Sequence, residues 1–170
     1  MNLAGAEGFF SSKLPGRVVR SVLAASLSLL PWVHGAAAHG VQAVVYEDGR
    51  KYELSADALR SSGLLDACEA QVRGATSVLR LGVSSATIEA QRNAGLALEI
   101  AYPAPQHFVL AMGGRTIDVT RILIPLAGEL SGSVSTIFFG TPGYQSGPLR
   151  HTQGTAELVR LVRTVRPAQR

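Results

Sequence analysis

Cysteine is nearly absent from this 170-residue chain: Cys68 stands alone. One thiol excludes an internal disulfide, so the fold has to rest on packing. Cys68 shares a helical stripe with Leu64, Leu65 and Val72, which predicts a buried apolar residue, the alternative being an intermolecular disulfide or a reactive thiol. Leu65-Asp66-Ala67-Cys68 is no lipid-attachment site, because it lies far from the N-terminal apolar run and carries Asp where a small residue belongs. A bilayer-length apolar run is missing too. The longest N-terminal one, Ser21–Val33, gives thirteen positions before His34 and Gly35, and Pro31 interrupts it. A spanning helix needs about 20.

Charge is scarce at 16% of residues, and its basic excess is concentrated at the start. Lys13, Arg17 and Arg20 precede Ser21–Val33, and small residues follow to Ala36-Ala37-Ala38. This is the layout of a secretory signal peptide over residues 1–38, with cleavage after Ala38. Arg17 and Arg20 are not adjacent, so a twin-arginine signal is unsupported. Lys13, Arg17, Arg20 and Glu7 leave with the signal, so the formal charge falls from +4 to +2. So small a charge points to neither nucleic acid nor an anionic surface as partner. The expected location is the bacterial periplasm or the medium. No membrane span is expected after cleavage, and an N-terminal anchor if the signal is kept. Residues 39–170 are of a length typical of one domain.

Catalytic motifs are also lacking. There is no G-x-S-x-G elbow, and Gly128–Gly132 and Gly143–Gly147 have other spacings. The glycines at 140, 143 and 147 are followed by neither Lys-Ser/Thr nor a helix start, which excludes a P-loop or dinucleotide fingerprint. The carboxylates are scattered, and Glu47-Asp48 and Asp66…Glu69 read as turn and helix-face residues. No catalytic residue and no cofactor is assigned.

What is present is β-type patterning, densest over Leu96–Gly140. Leu96, Leu98, Ile100 and Tyr102 alternate with Ala97, Glu99 and Ala101, the period of a strand with one buried face. Pro103 and Pro105 interrupt before His107–Met112, and Gly113-Gly114 supplies a turn leading back through Arg115–Val119. Arg121–Leu126 and Thr136–Phe139 are nearly continuous apolar runs, as in strands covered on both faces. The side-chain phase changes at Thr120-Arg121, which predicts a bulge or a chain break, and Pro125 predicts an edge, a bulge or a strand end.

Earlier in the chain, Asp48-Gly49 between Val41–Tyr46 and Lys51–Leu54 predicts a hairpin with Glu47 facing Arg50. Ser55 caps a helical region that runs to Gly74 as one helix, or as two breaking near Gly63. Ser77–Leu81 reads as a strand, and Ser84 or Ser85 caps a helix through Ala94, closed by Gly95. Thr155–Val165 is a final helix with a stripe of Leu158, Leu161, Val162 and Val165. The fold class is therefore α+β: a largely antiparallel sheet of about six to eight short strands packed against two or three helices.

Gly140–Gly154 carries four glycines after Phe139 and two prolines, has no periodicity, and reads as one long loop. Tyr144, Arg150 and His151 on it are side-chain types that make ligand or partner contacts. The expected function is a non-enzymatic binding or accessory module of the envelope. The alternative is a copper protein. A mature chain starting His39-Gly40 offers an α-amine and an imidazole together, with His107 or His151 as a second ligand. Over those two residues it resembles the start of copper-dependent polysaccharide monooxygenases and of some periplasmic copper carriers. His107, at the head of an apolar strand, is otherwise expected to be half-buried and satisfied.

Overall fold

A computed structural model describes residues 40–144 and 147–165. His39 and the signal-peptide segment lie outside them. Within the described residues the strands are β1 (Gln42–Glu47), β2 (Arg50–Leu54), β3 (Ser77–Val78), β4 (Leu96–Val109), β5 (Thr116–Pro125), β6 (Ser135–Gly140) and β7 (Leu149–His151). The helices are α1 (Ala56–Ser61), α2 (Leu64–Arg73), α3 (Ser85–Asn93) and α4 (Ala156–Val165). All strands join one open antiparallel sheet in the order β2-β1-β4-β5-β6-β7-β3. The chain is α+β.

Local chemistry sets the elements. Asp48 (φ 49°) and Gly49 (φ 77°) make the β1–β2 turn, with Glu47 opposite Arg50. The Ser55 side chain accepts the Ala58 amide at the start of α1. Gly63, at φ 70°, separates α1 from α2, so the helical region is two helices. Gly113 and Gly114, both at positive φ, turn β4 into β5. Beside that hairpin the register slips between Ala101 and Gln106, where β4 carries three extra residues against β5. That bulge shifts the inward positions of β5 from Ile117 and Val119 to Ile122 and Ile124. Pro125 ends β5.

The main core lies on one face of the sheet. Leu98, Ile100, Tyr102, Ile122, Ile124 and Ile137 meet Leu59 of α1, Leu64, Cys68 and Val72 of α2, and Leu158 and Val162 of α4. Cys68 is fully buried there, and burial pushes its thiol far above the ordinary range. The second face carries a smaller cluster of Ile88 from α3 with Ala97, Leu123 and Phe138. Cover on both faces explains the unbroken apolar runs in β5 and β6.

Three features differ from the sequence expectation. Among the described residues there are four helices, three on the main face and α3 on the other, because the second sheet face is also apolar. Of the strand expected over Ser77–Leu81, Ser77–Val78 pairs as a strand against β7, and beyond it the Leu79 amide donates to the Pro148 carbonyl at 2.7 Å. Gly140–Gly154 is not one loop: Leu149–His151 forms β7 between β6 and β3. Three residues are too few for a period-of-two pattern to register in sequence.

Candidate functional site

The second face is organised by Glu99. Its side chain is 6% exposed in the middle of β4. Ser84 caps α3 through the Thr87 amide (3.1 Å), and this short helix lays Ile88 and Arg92, one turn apart, toward the sheet. Arg92 donates to both carboxylate oxygens of Glu99, from Nη2 at 2.9 Å and 3.0 Å and from Nε at 3.1 Å. Its Nη1 also pairs with Glu89, and its guanidinium lies 5.4 Å above the Tyr46 ring. Tyr46 donates its hydroxyl to Glu99 Oε2 at 2.8 Å, and Tyr144 donates to Oε1 at 2.7 Å. Arg121, on β5 opposite Ala101, adds a longer contact of 3.4 Å to Oε1.

Burial alone would raise the Glu99 pKa. The hydrogen bonds from Arg92, Tyr144 and Tyr46 outweigh it and hold the carboxyl below its usual range. The same contacts act in reverse on the donors. Burial and the bond to Glu99 push Tyr46 up to about 12. Burial and the Glu99 charge push Tyr144 higher still. Burial would lower Arg92, but its bonds to Glu99 prevail and raise it. Glu99 is therefore an ionised tie with both oxygens occupied. It holds together β1, α3, β4, β5 and the segment after β6.

Two clefts open on either side of this tie. One, of about 390 Å³, lies between α3 and the 142–144 segment, and is lined by Val83, Ser84, Ile88, Arg92, Arg121 and Tyr144. The other, of about 210 Å³, is lined by Val44, Tyr46, Lys51, Glu99 and Arg121. Arg121 borders both with its side chain 47% exposed, leaving donors available to a ligand. Chemically, the larger cleft combines an apolar wall, serine hydroxyls and a guanidinium. It suits a small molecule with an apolar part and a polar or anionic group.

The residues singled out in the sequence do not converge. Tyr144 lies at the larger cleft and braces Glu99. Arg150 is exposed on β7, where its carbonyl accepts from the Thr76 amide at 2.8 Å. His151, its neighbour, is buried, and its Nδ1 accepts the Gln153 amide at 3.0 Å. Its ring lies against Gly74, where a Cβ would come within 2.2 Å of Nε2. His107 is not half-buried: its side chain is 71% exposed and pairs with Asp118 across the hairpin at 2.5 Å. His39, the copper residue, lies outside the described residues. Among the described residues no three His, Cys, Asp or Glu side chains are grouped as a metal site.

The sequence reading missed Glu99, Arg92 and Arg121. Strand alternation assigned Glu99 to a solvent face along with Ala97 and Ala101. The usable signal was the apolar run Arg121–Leu126, which implies cover on both faces of the sheet and hence a buried carboxylate on the neighbouring strand. Comparison with protein-family models, characterised proteins and solved structures found no match.

Proposed function

We propose that this chain is a small exported protein of the bacterial envelope that binds a ligand rather than transforming it, and receives it in the cleft between α3 and Tyr144. One observation carries this reading: the cleft is lined by Arg92, Arg121 and Tyr144, and these together with Tyr46 occupy both oxygens of the buried carboxylate Glu99 behind it. A group held ionised and saturated is a poor general acid or base, because it neither needs nor offers a proton near neutral pH. It is a good brace for a preformed wall. Export rests on the sequence of residues 1–38, and no helix among the described residues is long and apolar enough to cross a membrane.

The test is ligand-detected. Isotope-labelled protein is titrated with small-molecule fractions of a bacterial envelope extract, following backbone amide shifts. Shifts grouped at Ser85, Ile88, Arg121 and Tyr144, weakened about tenfold or more by Arg121→Ala, are the expected result; loss of one charge-assisted contact is worth that much. Conversion of a fraction component by the wild type and not by Arg121→Ala would replace binding with catalysis.

A further inference from the structure

Among the described residues, Arg121 is the cation of the larger cleft that no acid holds at close range. The bulge between Ala101 and Gln106 decides where it points. Ile117 and Val119 face the main core, and in an unbroken strand Arg121 would follow them there. The phase change turns it instead to the face of Glu99, opposite Ala101; re-aiming a side chain toward a site is a common use of a bulge. Its Nη1 then lies 3.4 Å from Glu99 Oε1, against about 2.8 Å for a full charge-assisted bond, and this is the only hydrogen bond of its guanidinium among the described residues. Oε1 is already filled by Tyr144 at 2.7 Å and Arg92 at 2.9 Å. The remaining charges are matched. Arg92 takes both oxygens of Glu99 and, through Nη1, Glu89. Glu89 is the acid that opposes an anionic ligand, but its side chain is 60% exposed, so solvent screens it, and Arg92 stands against it.

We propose, on the reading that this cleft receives a ligand, that the ligand is a small carboxylic acid in its ionised form, with its carboxylate on Arg121 and its apolar body against Val83 and Ile88. One unmatched guanidinium answers one negative charge. A carboxylate is planar and singly charged, so the guanidinium can take both its oxygens side by side and cancel it. A phosphate monoester carries a charge of about −1.5 to −2 at neutral pH, and the excess would face Glu89 and Glu99 with no cation left to meet it. Giving up the 3.4 Å contact costs Glu99 little, because Arg92, Tyr46 and Tyr144 remain on it at shorter range. At about 390 Å³ the cleft is near the lower end of ligand-pocket volumes, which selects a compact apolar body over a long acyl chain.

Four probes titrated into the isotope-labelled full chain at pH 7 test this: phenylacetate, its uncharged counterpart phenylacetamide, acetate and phenyl phosphate. Phenylacetate is expected to shift the amides of Ser85, Ile88, Arg121 and Tyr144. Phenylacetamide, without the charge, and acetate, without the apolar body, each bind about tenfold or more weakly, and phenyl phosphate binds no tighter than phenylacetate. Arg121→Gln brings phenylacetate down to the level of phenylacetamide and leaves phenylacetamide within about twofold, which assigns the loss to the charge and not to the fold. If Arg121→Gln does not fold, the ratio of the two probes in the wild type decides. Equal binding of phenylacetate and phenylacetamide, tighter binding of phenyl phosphate, or an Arg121→Gln loss common to both neutral and charged probes overturns the carboxylate and leaves a ligand cleft in place. So does silence from every probe while envelope fractions still shift these amides. Silence from probes and fractions alike removes the cleft as a binding site too.

Discussion

Replacing Glu99 with glutamine removes a charge and leaves Arg92, whose side chain is only 18% exposed, without its main partner. Breaking a buried pair from one side costs about 3 kcal/mol, measurable by urea unfolding at pH 7. The sign of the pH dependence follows from the lowered Glu99 pKa. A carboxyl that ionises more readily in the folded state adds stability above its unfolded pKa, about 4.3, and loses it as pH falls through the lower folded value. The gap between wild type and Glu99→Gln should therefore shrink steadily below about pH 4. An unchanged gap down to pH 2 would show that the carboxylate is not what the network stabilises. This residue was readable as a strand position but not as a buried one. Its burial depends on α3 crossing the sheet, and no local pattern around Glu99 records that crossing.

At the scale of elements, two glycines beside α2 illustrate the same division. Gly63 has φ 70° with open space around it, so its role is conformational alone. Gly63→Ala should cost about 1 kcal/mol from backbone strain. Gly74 has an ordinary φ of −78°, but an added Cβ would collide with the buried His151 ring. Gly74→Ala should cost about 2 kcal/mol by overpacking, and adding His151→Ala should recover part of it. Urea unfolding of the two singles and the double separates the causes. If His151→Ala gives Gly74→Ala no relief, the collision is not the reason for the glycine. The place of the helix break at Gly63 was legible because residues 61–63 carry it themselves. The need for Gly74 was not, since β7 arrives beneath α2 from 77 positions further along the chain.

For the whole molecule, the export reading predicts an intact mass for the envelope-fraction protein that lacks residues 1–38 and begins at His39. A mature form starting elsewhere removes the copper alternative. One starting at His39 calls for copper titration against His39→Ala, and equal affinities would exclude the site. Sequence alone determined the α+β class, the β1–β2 and β4–β5 hairpins, the phase change in β5 and the burial of Cys68, and it marked Gly63 as the place where the helical region breaks if it breaks at all. Each is written in neighbouring residues: a turn dipeptide, a cap, a period of two or a stripe. Tertiary structure alone decided that α3 is the element covering the second face, that β7 lies within the glycine-rich stretch, and that Tyr144 separates from Arg150 and His151. It also decided that Glu99 joins Arg92, Tyr46 and Arg121, residues from three other elements. Such convergence comes from strand order and helix placement, which depend on long-range packing energy rather than on any segment's own preference.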